Sequence, residues 1–238
     1  MKKPIAKSSG TLKVHDVSLS LLKVNDLVAG LIREEMKKRK ILLLNLVSSP
    51  GSGKTSLLEQ TIRCLMDRVN IAVLEGDVET ERDAERIRKQ GVQALQIVTG
   101  GTCHLEAQMI HQALPKMELD DVDVLFIENV GNLVCPASYD LGEDIRVTLV
   151  SCTEGDDKPK KYPGMFLTTD VMLVTKTDLL PYVPFSIATI EKEALEINHE
   201  IKIFNLSSLQ GKGMDKWCSY LLEQLARKRY AVNDFIAQ

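Results

Sequence analysis

The chain has 238 residues, of which 44% are hydrophobic and 26% are charged, as in an ordinary globular protein. Its net charge of −3, from 30 basic and 33 acidic side chains, gives no reason to expect nucleic acid or an anionic membrane as a partner. No apolar run approaches the length of a membrane span, and no apolar segment follows the basic N-terminus as in a signal peptide. Five scattered cysteines, an odd number, favour a reducing compartment, so we expect a cytoplasmic protein.

The first forty residues are predicted to form a loose tail followed by an amphipathic helix. Between Val14 and Arg39, apolar residues recur at near-helical spacing. These residues are Val17, Leu21, Val24, Leu27, Val28, Leu31 and Ile32. The end of the helix, from Glu34 to Lys40, is charged and is expected to face solvent. Residues 1–40 are therefore interpreted as an N-terminal helical extension.

From residue 41 onwards, short apolar runs alternate with helical stretches. The runs are Ile41–Val47, Ile71–Leu74, Ala94–Val98, Val122–Ile127, Val147–Val150, Val171–Val174 and Ile201–Leu206. Near-continuous apolar strands that alternate with helices indicate a mainly parallel sheet buried on both faces. We therefore predict one α/β domain over residues 41–238, in which helices flank the sheet.

A glycine-rich loop joins the first predicted strand to a predicted helix, Ser56–Leu65. The loop reads Ser48-Ser49-Pro50-Gly51-Ser52-Gly53-Lys54-Thr55, and strand, loop and helix together are the context of a phosphate-binding P-loop. Backbone N–H groups of small residues approach the phosphates, while the helix N-terminus adds partial positive charge. Lys54 is expected to reach the outer phosphates and the Thr55 hydroxyl to bind Mg²⁺, although Ser48 stands where the general pattern has glycine. The predicted nucleotide-binding residues here are Gly51, Ser52, Gly53, Lys54, Thr55 and Ser56.

Acidic residues follow two of the predicted strands. Ile71–Leu74 leads into Glu75-Gly76-Asp77, and Val122–Ile127 leads into Glu128. Ligands of parallel sheets collect at the carboxyl ends of strands, and Mg²⁺ needs several oxygen ligands. Acidic residues at strand ends also cap helices, so the pattern alone leaves both roles open for Asp77 and Glu128.

A second loop is predicted to bind the nucleotide base. Val171–Val174 ends in Thr175-Lys176-Thr177-Asp178, which resembles the Asn-Lys-x-Asp signature of GTPases, with threonine in place of asparagine. A carboxylate at Asp178 would accept hydrogen bonds from guanine N1–H and the 2-amino group, and adenine lacks this donor pair. Lys176 would cover the base with its aliphatic stem. Ser207, after Ile201–Leu206, is a further candidate for base contact.

Two cysteines and a histidine form a candidate site for Ni²⁺ or Zn²⁺. Cys103 and His104 follow a Gly-Gly pair at the start of a predicted helix, and Cys135 lies beyond the strand that ends at Glu128. Thiolates and imidazole suit either metal, and three ligands leave a position for water, substrate or a second subunit. Spacing alone also allows two ordinary cysteines and a surface histidine. The remaining cysteines, Cys64, Cys152 and Cys218, are expected to be core thiols.

Together these residues resemble the hydrogenase nickel-incorporation GTPases of the HypB family, from about residue 41 to 225. The matching stretches are SSPGSGKTSLLE, LEGDVETERDAERI, GGTCHLEA, IENVGNLVCPASYDLGE, TEGDDKPKKYPGMF and TKTDLLPYV. The resemblance implies GTP and GDP as ligands, Mg²⁺ held near Thr55, Asp77 and Glu128, and slow GTP hydrolysis that depends on Lys54. It also implies that Cys103, His104 and Cys135 bind metal near a subunit interface. The implied partners are a GTP-promoted second copy, an accessory protein of the HypA type and the hydrogenase large subunit.

Two other functions stay open at this point. A urease-accessory nickel GTPase shares the architecture, but that family has a Cys-Pro-His metal motif, and no histidine follows Cys135-Pro136. A nucleotide-gated metal-binding module with incidental turnover is the other. The segment from Met1 to Lys40 contains no cysteine and one histidine, so a separate nickel site is not expected there.

Overall fold

The structure is a computed structural model that describes residues 14–77 and 82–236, with side chains from residue 20 to residue 230 in these ranges. The predicted N-terminal tail and residues 78–81 of the second matching stretch lie outside the described residues. Within the described part of the chain, no helix is long and apolar enough to cross a membrane.

The centre of the fold is a seven-stranded sheet in the order β3-β2-β4-β1-β5-β6-β7. Every pair of neighbouring strands is parallel, which confirms the predicted α/β fold class. The strands are β1 Leu42–Ser48, β2 Ile71–Asp77, β3 Gln93–Val98, β4 Val124–Glu128, β5 Ile145–Ser151, β6 Val171–Thr175 and β7 Lys202–Asn205.

Helices cover both faces of the sheet and connect its parallel strands. They are α1 Val14–Arg39, α2 Lys54–Leu65, α3 Arg82–Arg88, α4 Ala107–Ala113, α5 Lys158–Lys161, α6 Pro163–Leu167, α7 Ile187–Ile197 and α8 Met214–Ile236. Short 3₁₀ helices occupy Leu114–Lys116, Cys135–Ser138 and Thr177–Tyr182.

The core consists of apolar layers on the two faces of the sheet. Alternate residues of β1 belong to opposite layers, because successive side chains of a strand point to opposite faces. Leu44 packs with α2 and α8, whereas Leu43 packs with α1 and α4. The fully buried Trp217 of α8 donates its indole N–H to the Thr61 hydroxyl at 3.1 Å, so its polar group is satisfied.

Helix α1 confirms the predicted N-terminal helix, but it packs through a different face from the one expected. The buried side chains are Asn25, Ala29, Ile32 and Met36. Most of the predicted apolar face points outwards, with exposed fractions of 60% for Leu21, 59% for Val24, 73% for Leu27 and 60% for Leu31. The helix is therefore apolar on two sides. One of them packs against the turn Asp140–Gly142 and α4.

Two of the strands extend further at their carboxyl ends than the apolar runs predicted. Strand β2 continues through Glu75 and Gly76 to Asp77, and β4 includes Glu128. Backbone pairing between β2 and β4 continues to the pair Glu75–Glu128 although the side chains are now acidic. The carboxyl edge of the sheet therefore brings polar groups into a crevice beside β1, where the chain order reverses.

Candidate functional site

The phosphate loop lies between β1 and α2. Gly51 and Gly53 adopt φ values of 77° and 96°, a left-handed conformation that glycine adopts without a steric cost. Helix α2 begins at Lys54, two residues earlier than predicted, so its N-terminus faces the loop. The Lys54 ammonium donates to the Ser48 hydroxyl at 3.1 Å. Ser48 therefore holds this lysine at the mouth of the loop, although the general pattern has glycine there.

Carboxylates face the phosphate loop across a cavity of about 570 Å³. The cavity is lined by Lys54 and Thr55 on one side and by Asp77 and Glu128 on the other. The Thr55 hydroxyl donates to Glu128 Oε1 at 3.0 Å, so two of the three predicted Mg²⁺ ligands are in contact. The structure thus brings the predicted phosphate and magnesium residues to one crevice, except Ser52, which lines the neighbouring cavity.

A third acidic residue, Glu75, lies beside Glu128 and was not among the predicted site residues. Both side chains are buried, with exposed fractions of 2% and 5%. Burial, followed by the neighbouring charge of Glu128, raises the pKa of Glu75 to about 10. Burial also raises the pKa of Glu128, which the nearby Lys54 partly offsets. In the described residues, Glu75 Oε1 and Glu128 Oε2 have no hydrogen-bond partner.

These carboxyl groups fit a divalent cation. Burial makes both acids costly, and the charge of Lys54 offsets only part of that cost, so a hard cation that takes oxygen ligands would provide further positive charge. The Thr55 hydroxyl, Asp77 and Glu128 line the same cavity as the phosphate loop, so a cation there would also contact the phosphates of a nucleotide.

The predicted base-binding loop borders a second cavity, of about 250 Å³, on the other side of the phosphate loop. This cavity is lined by Ser52, Gly53, Ser56, Thr175, Lys176, Asp178, Leu179, Ser208 and Leu209. The predicted Ser207 is buried behind Asp178, to which its hydroxyl donates at 2.5 Å. Ser207 thus orients the carboxylate, while its neighbour Ser208 lines the cavity.

The base-binding loop is tied to the phosphate loop by two short hydrogen bonds. The Thr175 hydroxyl donates to the Ser52 carbonyl at 2.7 Å, and the Lys176 ammonium donates to the Gly51 carbonyl at 2.7 Å. Lys176 has a φ of 58°, a conformation that costs energy in a residue with a side chain. The Cys152 thiol lies 2.9 Å from the carbonyl of Lys176 and donates to it. The two nucleotide loops are therefore held together by hydrogen bonds from Thr175 and Lys176.

A buried ion pair supports the phosphate loop from the segment after β5. Glu154 Oε2 lies 3.1 Å from Lys158 Nζ, and both side chains are mostly buried. Glu154 Oε1 accepts a hydrogen bond from the Ser52 hydroxyl at 2.5 Å, and Lys158 donates to the Ser49 hydroxyl at 3.1 Å. The pair therefore fixes the two serines that flank Pro50 and Gly51.

The predicted metal ligands lie together, although they are 32 residues apart along the chain. The Sγ atoms of Cys103 and Cys135 are 2.9 Å apart, and His104 Nδ1 is 3.8 Å from Cys103 Sγ. Ligand atoms of the three residues lie within 4.8 Å of one another. Two soft sulfur atoms and an imidazole nitrogen form a donor set that suits Zn²⁺ or Ni²⁺.

The protonation of these groups depends on their contacts. The neighbouring thiol of Cys135 raises the pKa of Cys103, because one shared proton stabilises the pair. Burial lowers the pKa of His104, an effect that nearby Glu106 opposes. The His104 ring also packs against the Tyr139 ring, with centroids 4.0 Å apart. The ring contact therefore orients the imidazole, and its lowered pKa favours the neutral form that binds metals.

Two predictions about the cysteines need correction. Cys103 and His104 do not begin a helix, since α4 begins at Ala107, and both lie in the preceding loop. Cys64 is exposed rather than part of the core. Cys152 and Cys218 are buried, as expected.

The segment from Glu128 to Cys135 links the phosphate cavity to the thiols. The side chain of Asn129 accepts from the backbone N–H of Leu105 at 3.1 Å, and the side chain of Asn132 donates to the carbonyl of Cys103 at 3.2 Å. A Cβ atom on Gly131 would lie 3.0 Å from atoms of Pro50 in the phosphate loop. This segment therefore contacts the phosphate loop through Gly131. Through Asn129 and Asn132 it contacts the metal loop, which carries Cys103 and His104.

Sequence reasoning missed several of these residues. Glu75 could have been predicted, because it is an acidic residue directly after an apolar run. In that stretch, however, only Asp77 is predicted to bind Mg²⁺. Asn129 and Glu154 lie in stretches that resemble the family, yet nothing in their local pattern shows which distant backbone group each one contacts. Arg86 lines the phosphate cavity and pairs with Glu59 at 2.8 Å, a contact between α3 and α2 that spacing does not predict.

The fold and the crevice define a class of protein: a P-loop nucleotide-binding domain that has a cluster of thiols and an imidazole beside its phosphate cavity. The family model described as CobW/HypB/UreG, nucleotide-binding domain, matches residues 42–205. The hydrogenase maturation factor HypB of Escherichia coli strain K12 is 52% identical over 212 residues, which cover 89% of this chain and 73% of that protein. The hydrogenase/urease maturation factor HypB of Helicobacter hepaticus is 41% identical over 219 residues, which cover 90% of each chain.

Solved structures agree with this relationship. HypB from Helicobacter pylori in complex with nickel has a TM-score of 0.82 and 42% identity, covering 85% of this chain and 95% of that one. HypB from Archaeoglobus fulgidus has a TM-score of 0.80 and 39% identity, covering 85% of this chain and 99% of that one. The chain belongs to the CobW/HypB/UreG family and, within it, to the HypB hydrogenase maturation factors.

Proposed function

We propose that the protein is a GTP-hydrolysing metallochaperone that binds nickel or zinc and assists nickel insertion into hydrogenase. The observation that carries this proposal is the segment Glu128–Cys135, which begins at the phosphate cavity and ends at the metal cluster. Nickel enters the proposal because the similar Helicobacter pylori protein was solved in complex with that metal.

The phosphate cavity supports hydrolysis of a nucleoside triphosphate. Lys54 lies at the mouth of the loop and would stabilise negative charge on the outer phosphates. Thr55, Asp77 and Glu128 would hold Mg²⁺ directly or through water, and the cation supplies further neutralisation of phosphate charge when bound. The backbone N–H groups of Gly51 and Gly53 and the N-terminus of α2 would position the phosphates.

The second cavity supports guanine as the base. Asp178 would accept from guanine N1–H and the 2-amino group, and Ser207 holds its carboxylate in place. An adenine nucleotide would leave this carboxylate without its partners, which is a strong basis for discrimination. The stem of Lys176 would cover one face of the base, since its ammonium is anchored on Gly51.

Metal loading and nucleotide state are proposed to be coupled. A terminal phosphate and its Mg²⁺ that shift Glu128 would also move the residues that follow it. Gly131 would transmit the shift, because it packs against the phosphate loop with no room for a side chain. Asn129 and Asn132 would pass that movement to the backbone on both sides of His104. Coupling through so short a segment requires only one element with two arrangements.

A second copy of the chain is proposed to join at the metal site when GTP is bound. Three protein ligands leave a position open, and Cys103 is exposed. Val134, next to Cys135, is 61% exposed, and Val98, at the end of β3, is 60% exposed. Burial of these apolar side chains between two subunits would favour a two-fold dimer that shares or completes the metal site.

The remaining partners follow from the hydrogenase role. An accessory protein of the HypA type and the hydrogenase large subunit are the proposed source or recipient of nickel, in the cytoplasm. The exposed apolar stripe of α1 supports a protein partner, because four large side chains on one face of a helix otherwise meet water. Exchange of Leu27 and Leu31 for glutamate should therefore weaken binding of the accessory protein in a pull-down without changing nucleotide affinity.

Turnover measurements test the proposal. The parent protein should hydrolyse GTP slowly and ATP hardly at all, and Lys54→Ala should abolish turnover. Asp178→Asn should shift the preference towards a xanthine nucleotide, whose 2-oxo group accepts from an amide. Equal kcat/KM for GTP and ATP in the parent would contradict guanine specificity.

Addition of metal and of hydrogenase large subunit separates the proposal from its alternatives. A chaperone should transfer nickel only with hydrolysable GTP. Transfer with a non-hydrolysable analogue at the same rate would favour a nucleotide-gated binding module instead. Transfer to urease alone would favour the urease-accessory role, against which the residues after Cys135 argue.

A further inference from the structure

The hydroxyl of Thr175 has a single hydrogen to donate, and its acceptor in this structure is known. Thr175 ends strand β6 and is 2% exposed. Its Oγ1 lies 2.7 Å from the carbonyl oxygen of Ser52. A carbonyl oxygen can only accept, so the hydrogen of this bond belongs to Thr175. Threonine here thus ties the end of β6 to the phosphate loop and has no second hydrogen left.

An asparagine at this position would behave differently. Its amide group carries two N–H donors, so one can bond to the Ser52 carbonyl while the other remains for a ligand. Thr175 has only acceptor lone pairs left after its bond to Ser52. Any group of the ligand that faces Thr175 and also only accepts will therefore receive no hydrogen bond from it.

Guanine presents such a group on the side that faces the phosphates. Its N7 atom is a pure acceptor, whereas N1–H and the 2-amino group lie on the opposite edge of the ring system. In the common anti conformation of a nucleotide, the N7 and C8 edge is nearer the 5′ phosphates. Thr175 is bonded to the phosphate loop, while Asp178 lies three residues further along the second cavity. A guanine nucleotide with its phosphates at the phosphate loop and its N1 edge at Asp178 would therefore turn its N7 edge towards Thr175.

We infer that Thr175 is a specificity-determining and positioning residue that leaves guanine N7 unread, so that recognition depends on N1–H and the 2-amino group at Asp178. The inference rests on the proposed binding of guanine nucleotides. The other hydroxyls at the cavity support it. Ser207 donates to Asp178, and the single hydrogen of the Ser52 hydroxyl goes either to Glu154 Oε1, at 2.5 Å, or to the Ser49 carbonyl, at 2.8 Å. Ser56 and Ser208 line the same cavity from α2 and from the loop after β7.

The test compares GDP with 7-deaza-GDP, in which a C–H group replaces N7. Equilibrium dissociation constants are measured by calorimetry for the full chain with Mg²⁺. The parent should bind the two nucleotides within about twofold of each other, because no neutral hydrogen bond to N7 is lost. Thr175→Asn should favour GDP over 7-deaza-GDP by about 2- to 10-fold, the value of one neutral hydrogen bond.

Two further variants separate recognition from folding. Thr175→Ser keeps the single donor and should keep the parent's ratio of affinities. Thr175→Val removes the bond to Ser52, so both nucleotides should bind more weakly by the same factor. A role in folding alone would not produce a ratio that changes only in Thr175→Asn.

The outcomes also separate this inference from the proposed function. Parent protein that binds ADP as tightly as GDP would contradict guanine specificity itself. Parent protein that prefers GDP to ADP but binds 7-deaza-GDP 5-fold or more weakly than GDP would overturn the inference alone, since another donor then reads N7. An unchanged ratio in Thr175→Asn would likewise show that residue 175 does not face that edge.

Discussion

Asn129→Ala should uncouple metal binding from nucleotide state while keeping the predicted ligands of both sites. Asn129 follows Glu128 directly and is 2% exposed. Its side-chain oxygen accepts from the N–H of Leu105 at 3.1 Å, and its amide nitrogen donates to Asn45 at 3.2 Å. Leu105 follows His104, so this amide connects the phosphate cavity directly to the metal loop. Alanine removes the connection without introducing bulk or charge.

The expected size of the effect follows from typical couplings between binding sites. A coupling of about 1–3 kcal/mol gives a roughly 5–150-fold difference in metal affinity between two nucleotide states. Loss of the Asn129 amide also leaves the buried N–H of Leu105 without its acceptor, at about 1–3 kcal/mol. That second cost lowers the stability of the fold in both nucleotide states, so it should cancel in the ratio of metal affinities.

The assay is Ni²⁺ affinity measured with GDP and with a non-hydrolysable GTP analogue, for parent and variant. The parent should show a ratio well above one, and metal should change the affinity for the analogue by the same factor. The variant should show a ratio near one. Asn198→Ala is a matched control, because its amide donates to the carbonyl of Thr169 at 2.8 Å, remote from both sites. Asn129→Ala with the parent's ratio would refute this route of coupling.

Three further predictions concern the metal cluster, the buried acids and the packing of α1. Cys103→Ala and Cys135→Ala should each weaken Ni²⁺ and Zn²⁺ binding, whereas Cys64→Ala should not. Metal affinity should fall as the pH is lowered, because protons compete for the thiolates. Equal metal titrations of all three variants would place the site elsewhere. Because the pKa of Glu75 is raised to about 10 from 4.5, the folded state binds more protons across that range, and metal-free stability should fall as pH rises. The free energy of unfolding of Glu75→Gln, measured with urea at pH 6 and at pH 9, should fall less between the two pH values than that of the parent. An equal fall in both proteins would contradict the argument. Gly142→Ala should lower the free energy of unfolding by at least about 1 kcal/mol, because residue 142 has a φ of 83° and a Cβ atom would lie 2.7 Å from a carbonyl oxygen of α1; an unchanged melting temperature would show that α1 can move.

The sequence predicted the fold well because the fold depends on local patterns. Apolar runs separated by helices reflect strands that are buried on both faces, and all seven predicted runs overlap a strand of the sheet. The glycines of the phosphate loop could also be predicted, since their positive φ values follow from the turn between strand and helix. Helix α1 was harder, because it is apolar on two faces and periodicity does not show which of them packs on the domain.

The candidate site could be predicted only in part. Residues with distinctive chemistry, such as Lys54 or Cys103, were identifiable because few other roles suit them in their patterns. Residues whose role is a bond to a distant backbone group were not. Glu154 contacts Ser52 across 102 positions of the chain, and only the folded structure brings that carboxylate to the phosphate loop.

The buried acids at the phosphate cavity argue for function more strongly than any single motif. Elsewhere in the same fold, Glu143 is buried and has a counter-charge, since Arg146 lies 2.7 Å away. Glu75 and Glu128 instead lie next to each other and share the nearby charge of Lys54, and each has an oxygen that lacks a hydrogen-bond partner among the described residues. Such a pair opposes folding, and replacing one of the two acids with an amide would relieve much of that cost. A chain that retains both acids at the carboxyl edge of its sheet is expected to do so for the positive charge that a bound cation would supply there.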